Sequence, residues 1–174
     1  MTEEEQKQPA ATDFPWWVPD KPPIQAWQTD GILGAISRGY ANCNGYVRIP
    51  EGHPFRQFDS YYELPVEVHG GLTFGPETPT KAIEIPGAPV PIPARPGRTW
   101  EDTQGWVGFD TMHAFDFWPE EELVKAGVEV DDTWRRYRDL TKRDDPRHQR
   151  IWTLDALIQE VNDLARQVAA AAGP

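Results

Sequence analysis

The sequence contains a single cysteine, Cys43, which excludes an intramolecular disulfide framework. It has no run of about 18 apolar residues and no signal peptide pattern, so neither a membrane-spanning helix nor a secretory leader is expected. Basic residues are also scarce, because 17 Lys and Arg stand against 28 Asp and Glu, a formal net charge of −11. Nonspecific nucleic-acid affinity comes mostly from Lys and Arg neutralising phosphates, so no broad nucleic-acid-binding surface is expected. These absences predict a soluble cytoplasmic protein.

The 174 residues are enough for one compact core and too few for two full domains. Residues 1–13 carry three consecutive glutamates and little apolar surface, which predicts a flexible acidic tail. The remainder, 14–174, is expected to form a single domain. Five prolines between 86 and 97 favour polyproline II and exclude a central strand, so this stretch is predicted to be a proline-rich surface excursion.

Short alternating segments predict strands, and the last segment predicts a helix. Strands are expected at 32–38, 45–49, 61–69 and 106–109, and shorter helices at about 118–127 and 133–140. From the N-cap Thr153, apolar residues recur at a spacing of three and four residues to Val168, the pattern of an amphipathic helix. The expected fold is therefore α+β: a small antiparallel sheet with proline-rich loops, packed against the C-terminal helix.

Two strand ends carry more ionisable and small residues than a plain strand end requires. They are Val66 to Thr73 and Trp106 to Asp116. Since side chains alternate between the faces of a strand, residues of three strands are expected to share the face opposite the apolar core. These residues are Tyr46, Arg48, Glu67, His69, Trp106 and Asp110.

The spacing of Asp110, His113 and Asp116 would bring all three side chains to one side of a helical turn following the strand. Together with His69 they offer nitrogen and carboxylate ligands of the kind that zinc, manganese or iron accept, or the parts of an acid–base pair. Gly70 and Gly71 would leave room for a ligand. The alternative is that these acids and histidines are strand-end caps and loop anchors.

Three motifs in fixed order, GYVxxPxGHP from Gly45, VHGGLT from Val68 and GFDxxHxxD from Gly108, precede the C-terminal helix. This arrangement resembles a group of small uncharacterised proteins encoded by tailed bacteriophages and prophages, many from actinobacterial hosts. The resemblance covers roughly 45–168, with the proline-rich excursion departing from it. It implies an accessory phage protein in the host cytoplasm, and it supplies no activity.

Two function classes follow. In the first, the His/Asp pocket binds a divalent metal or a nucleotide-like ligand, with Arg48 for phosphate and Tyr46 or Trp106 for stacking on a base, in an enzyme or a counter-defence protein. In the second, a noncatalytic acidic interaction protein inhibits a host defence or replication protein, using its charge and the aromatic arm at Trp16 and Trp17.

Overall fold

The computed structural model describes residues 14–15, 22–84, 86–87, 89–141 and 150–173. The predicted tail 1–13 and the aromatic arm at Trp16 and Trp17 lie outside these ranges. In chain order the strands and helices are β1 Gln25–Thr29, β2 Ile32–Arg38, β3 Cys43–Arg48, β4 Trp106–Phe109, β5 Asp116–Phe117, α1 Glu120–Lys125, α2 Asp132–Thr141, β6 Arg150–Ile151 and α3 Leu154–Ala171. Short 3-10 turns occupy Pro54–Gln57 and Tyr61–Glu63.

The main sheet has four antiparallel strands in the order β1-β2-β3-β4. Strands β5 and β6 form a separate parallel pair in which Asp116 lies opposite Arg150. The sheet and the C-terminal helix confirm the predicted α+β class. Strand β1 was not predicted, although Asp30 and Gly31 connect it to β2 with φ angles of 49° and 79°. An Asp-Gly pair with two positive φ angles is a preferred hairpin connection.

Helix α3 covers one face of the sheet. Thr153 caps it as predicted, since its Oγ1 accepts the Ala156 N–H at 3.0 Å. The helix approaches β2 and β3 closely because those strands have glycines there: a Cβ on Gly34 or Gly45 would lie 2.8 or 2.7 Å from a methyl group of Val161. The buried side chains of this helix are Leu157, Val161, Leu164, Ala165 and Val168.

The opposite face of the sheet is covered by a second apolar cluster. Tyr46 and Trp106 share this face, as strand parity predicted, and pack with Phe14 and Ala35. The Phe14 and Trp106 ring centroids lie 5.1 Å apart. Strand β4 is therefore buried on both faces, with every residue from Trp106 to Phe109 buried.

The expected third strand at 61–69 is wrong. Residues 61–63 form a 3-10 turn, and 64–70 follow as an irregular segment. The Leu64 carbonyl accepts a local hydrogen bond from the Val66 N–H at 2.8 Å and does not pair with a neighbouring strand.

Within the described part of the proline-rich stretch and its flanks, antiparallel bridges join Glu77 to Arg98, Thr80 to Arg95 and Ile83 to Ile92. Val90 and Ile92 are exposed.

Among the described residues, none of the helices combines the length and the apolar character that a bilayer crossing requires.

Candidate metal centre

His69 lies in a tight turn that is attached to helix α3. The Gly71 N–H donates to Val68 O at 2.9 Å and closes the turn. Gly70 occupies the third position with a φ of 70°, as a type II turn requires. The His69 N–H donates to Oε1 of Glu160 on α3 at 2.7 Å. This hydrogen bond therefore holds the turn that carries the His69 imidazole against helix α3.

The second part of the cluster follows strand β4. Its backbone turns are held by aspartate carboxylates that accept hydrogen bonds from backbone N–H groups. Asp110 Oδ1 accepts the Met112 N–H at 2.9 Å. Asp116 Oδ2 accepts the His113 N–H at 2.9 Å, and the Asp116 N–H donates to His113 O at 3.0 Å. The sequence prediction of a helical turn here is wrong, because these carboxylate-capped turns replace it. They nevertheless bring His113 and Asp116 together.

Thr111 anchors this segment to the sheet. Its hydroxyl donates to Cys43 O at 2.6 Å and accepts the indole N–H of Trp118 at 2.7 Å. Further along, Phe115 has a φ of 86°, an uncommon angle for a residue other than glycine. Backbone strain of this kind persists where the surroundings over-determine it and is frequent at functional sites.

Three side chains converge where the two segments meet. His69 Nε2 lies 2.8 Å from Asp116 Oδ1, and His113 Nδ1 lies 3.2 Å from Asp116 Oδ2. One potential ligand atom from each of the three residues lies within 4.8 Å of the other two. The Asp116 side chain is 3% exposed, whereas His69 is 23% and His113 30% exposed. The cluster thus has a buried carboxylate and two imidazoles that reach solvent.

The contact between His69 and Asp116 does not have the geometry of a hydrogen bond. Although the two atoms are 2.8 Å apart, the buried Nε2 has no hydrogen-bond partner among the residues that the structure describes. The carboxylate oxygen therefore lies off the axis of the ring nitrogen. Two ligands of a tetrahedral zinc ion, each about 2.0 to 2.1 Å from the metal, are about 3.3 Å apart, and neither points at the other. The orientation of the two groups is that of such a ligand pair, and the 2.8 Å separation is shorter than the pair would have with zinc bound.

Asp110 lies at the margin of this group. Its Oδ1 is 3.8 Å from His113 Nδ1, and it is not one of the three clustered residues. Gly70 and Gly71 were expected to leave room for a ligand, and only Gly71 does so. A Cβ on Gly70 would lie 2.1 Å from His113 Cε1, so the space above Gly70 is filled by the imidazole, whereas Gly71 has nothing within 4 Å of that position.

The remaining predicted ligand residues are placed elsewhere. Tyr46 and Trp106 are buried in the second apolar cluster, and burial raises the pKa of the Tyr46 hydroxyl. A base could not stack on rings that are already covered. The Arg48 guanidinium is exposed and donates to Gln104 O at 3.0 Å. Glu67 is exposed, and its backbone exchanges hydrogen bonds with the Gln167 side chain. A common sheet face carrying all these residues was a wrong expectation, because the third strand does not exist.

Three residues beside the cluster were not predicted. Glu160 lies on α3, for which the sequence predicted only packing against the sheet. The Arg150 guanidinium donates to Glu160 Oε2 at 3.0 Å and stacks 4.3 Å from the Trp152 ring centroid. The Trp152 ring in turn meets the His69 ring edge to face at 5.1 Å. Acidic residues are common on the polar face of an amphipathic helix, so the sequence gives no sign that Glu160 makes these contacts. Only the fold reveals them.

Comparisons with protein-family models, curated proteins and solved structures found no match for this chain. The interpretation of the cluster therefore depends on its geometry.

Proposed function

We propose that the protein binds one divalent transition-metal ion, zinc in the first instance, through His69, His113 and Asp116. The observation that carries the proposal is the buried His69 Nε2, 2.8 Å from Asp116 Oδ1 and outside hydrogen-bond geometry. Imidazole nitrogen and carboxylate oxygen are ligands that zinc accepts. Manganese and iron take the same donors and are the next ions to examine.

The number of ligands favours a site that is open to water. Structural zinc sites are closed by four protein ligands, whereas catalytic sites have three and keep a position for water. Here three side chains converge, and both imidazole rings are partly exposed, although the His69 Nε2 atom itself is buried. When bound, the ion would supply Lewis acidity and an activated water. The Asp116 carboxylate would offset its charge.

The metal interpretation is favoured over the nucleotide-like ligand. A nucleotide pocket was expected to use Tyr46 or Trp106 for stacking and Arg48 for phosphate. The two aromatic rings are buried, and Arg48 is bound to a loop carbonyl. The wider role that we propose is that of an accessory phage protein in the host cytoplasm, which the motif resemblance supports. Counter-defence is part of this proposal, although the resemblance itself supplies no activity.

Metal titration tests the proposal directly. The untagged protein would be stripped with a chelator and titrated with zinc by calorimetry, with elemental analysis of the loaded protein. We expect about one equivalent to bind. A ligand that binds only the folded state stabilises it by about 2.7 kcal/mol at 100 times its Kd, so Tm should rise with zinc.

Substitution identifies the ligands. His69→Ala, His113→Ala and Asp116→Asn should each abolish the zinc-dependent rise in Tm. His53→Gln is the matched control, because His53 is a buried histidine outside the cluster whose Nε2 contacts Val168 O at 2.9 Å. That variant should lose stability and keep one equivalent of zinc. Absence of zinc, manganese and iron binding by the wild-type protein would refute the proposal and favour the acidic interaction protein.

A further inference from the structure

We infer that Glu160 is a positioning residue of the metal site and that its ion pair with Arg150 sets the metal affinity. This inference rests on the proposed metal-binding function. It gives a polar residue of helix α3 a role beyond the packing of its buried side chains against the sheet.

One carboxylate supports both ligand-bearing segments. Glu160 Oε1 accepts the backbone N–H of His69 at 2.7 Å, which holds the first segment. Its Oε2 accepts from the Arg150 guanidinium at 3.0 Å. The Arg150 backbone N–H donates to Phe115 O at 2.8 Å, and Arg150 lies opposite Asp116 in the β5–β6 pair. Glu160 is thus connected to the turn of His69 and, through Arg150, to the strand of Asp116.

Glu160 makes these hydrogen bonds from a well-packed helix. Helix α3 is fixed by five buried side chains, so Glu160 projects from one of the best-packed elements of the fold. The Glu160 side chain is 21% exposed, so its hydrogen bonds are partly shielded from water. Arg150 is further restrained by its stacking on Trp152, whose ring also contacts the His69 ring. Metal ligands depend on such outer partners, and losing one typically costs 10- to 100-fold in metal affinity.

The test compares acids on the same helix. Glu160→Ala should weaken zinc binding by about 10- to 100-fold. Glu160→Gln keeps an oxygen for the His69 N–H and should recover part of this loss. Asp163→Asn is the matched control, because Asp163 is an exposed acid on α3 that pairs with Arg166 at 2.7 Å. It removes the same charge and should leave zinc affinity unchanged.

Two further readouts separate positioning from a general loss of stability. The visible spectrum of the cobalt-substituted protein reports ligand geometry, and we expect it to change in Glu160→Ala and not in Asp163→Asn. Hydrogen exchange of the His69 amide should be slowed by zinc in the wild-type protein, because binding and local order stabilise each other reciprocally. In Glu160→Ala this amide should exchange rapidly even with zinc.

The outcomes are distinguishable. If wild-type protein binds no metal, the proposed function fails and this inference fails with it. If wild-type protein binds zinc and a folded Glu160→Ala binds it equally tightly, only this inference fails. Should Glu160→Ala not fold, Arg150→Met keeps an apolar chain over Trp152 and removes the ion pair. That variant should weaken zinc binding by about tenfold, and unchanged affinity would overturn the inference.

Discussion

Gly70 lies directly against the imidazole of His113, so close that a Cβ on Gly70 would be 2.1 Å from Cε1 of the ring. The neighbouring Gly71 has an equally unusual backbone, with a φ of 82° against 70° for Gly70. Its Cβ position is in open space. The two glycines therefore impose the same conformational requirement and differ in one contact.

This pair provides a test of the cluster. Gly70→Ala and Gly71→Ala should both lose stability, by about 1 kcal/mol, because alanine is strained at positive φ. Only Gly70→Ala should also displace the His113 ring and lose zinc affinity, which we expect to fall at least tenfold. Calorimetric titration of both variants is the measurement. Equal zinc affinities would show that His113 is not a ligand.

The burial of Cys43, the single cysteine of the chain, supplies a prediction on its reactivity. The thiol is fully buried in β3, and burial raises its pKa to about 12. Because the thiolate is the reactive species, we expect no reaction with iodoacetamide at pH 8 in the native protein. Rapid labelling should appear in denaturant. Labelling of the folded protein at the rate of a free thiol would contradict the burial of β3.

The C-terminal helix was predictable because its signal is local. An apolar stripe with period 3.6 and a Thr cap determine where α3 begins and which side chains it buries, whatever it packs against. The same holds for β2 and β3, where alternation of apolar residues predicted both strands. The β1–β2 hairpin also has a local signal, the Asp30-Gly31 pair, although the sequence prediction did not include β1.

Of the four residues predicted as metal ligands, three lie in one cluster and Asp110 lies at its margin. His69, His113 and Asp116 do meet, but the strand and the helical turn that were invoked to bring them together are absent. Their positions depend on contacts between residues far apart in sequence, such as His69 with Glu160 and Thr111 with Cys43. Periodicity carries no information on such contacts. For the same reason the burial of strand β4 on both faces of the sheet could not be inferred from strand parity.

Glu122 of α1 supplies a prediction on pH. Its carboxylate accepts from Lys125 and from the backbone N–H of Leu154, at the start of α3, and these bonds lower its pKa from the ordinary 4.5. Since the folded pKa is the lower one, this stabilisation is present above pH 4.5 and is lost as pH falls through the folded value. We expect Glu122→Gln to be less stable than wild type by about 1 kcal/mol at pH 7.

The pH dependence checks the cause. Denaturant unfolding at several pH values should show the difference between wild type and Glu122→Gln shrinking below pH 4.5. Glu121→Gln, on the same turn but exposed, is the control and should match wild type within about 0.5 kcal/mol throughout. A difference between Glu122→Gln and wild type that does not vary with pH would exclude the carboxylate charge as its source.

The last prediction distinguishes a core residue, Leu157, from a proposed metal ligand, His69. The stability of an alanine variant at each position is measured with and without zinc. Leu157 is fully buried under the sheet, so Leu157→Ala should cost about 2 to 5 kcal/mol as a cavity-forming change. His69→Ala removes a partly exposed ring whose Nε2 has no hydrogen-bond partner within the described part of the chain. In metal-free buffer it should cost about 1 kcal/mol or less. On adding zinc, the Tm of wild type and of Leu157→Ala should rise by similar amounts, because both retain the ligands, whereas the Tm of His69→Ala should not move. A large metal-free loss in His69→Ala, with no zinc response in wild type, would instead make the imidazole a structural anchor of the turn.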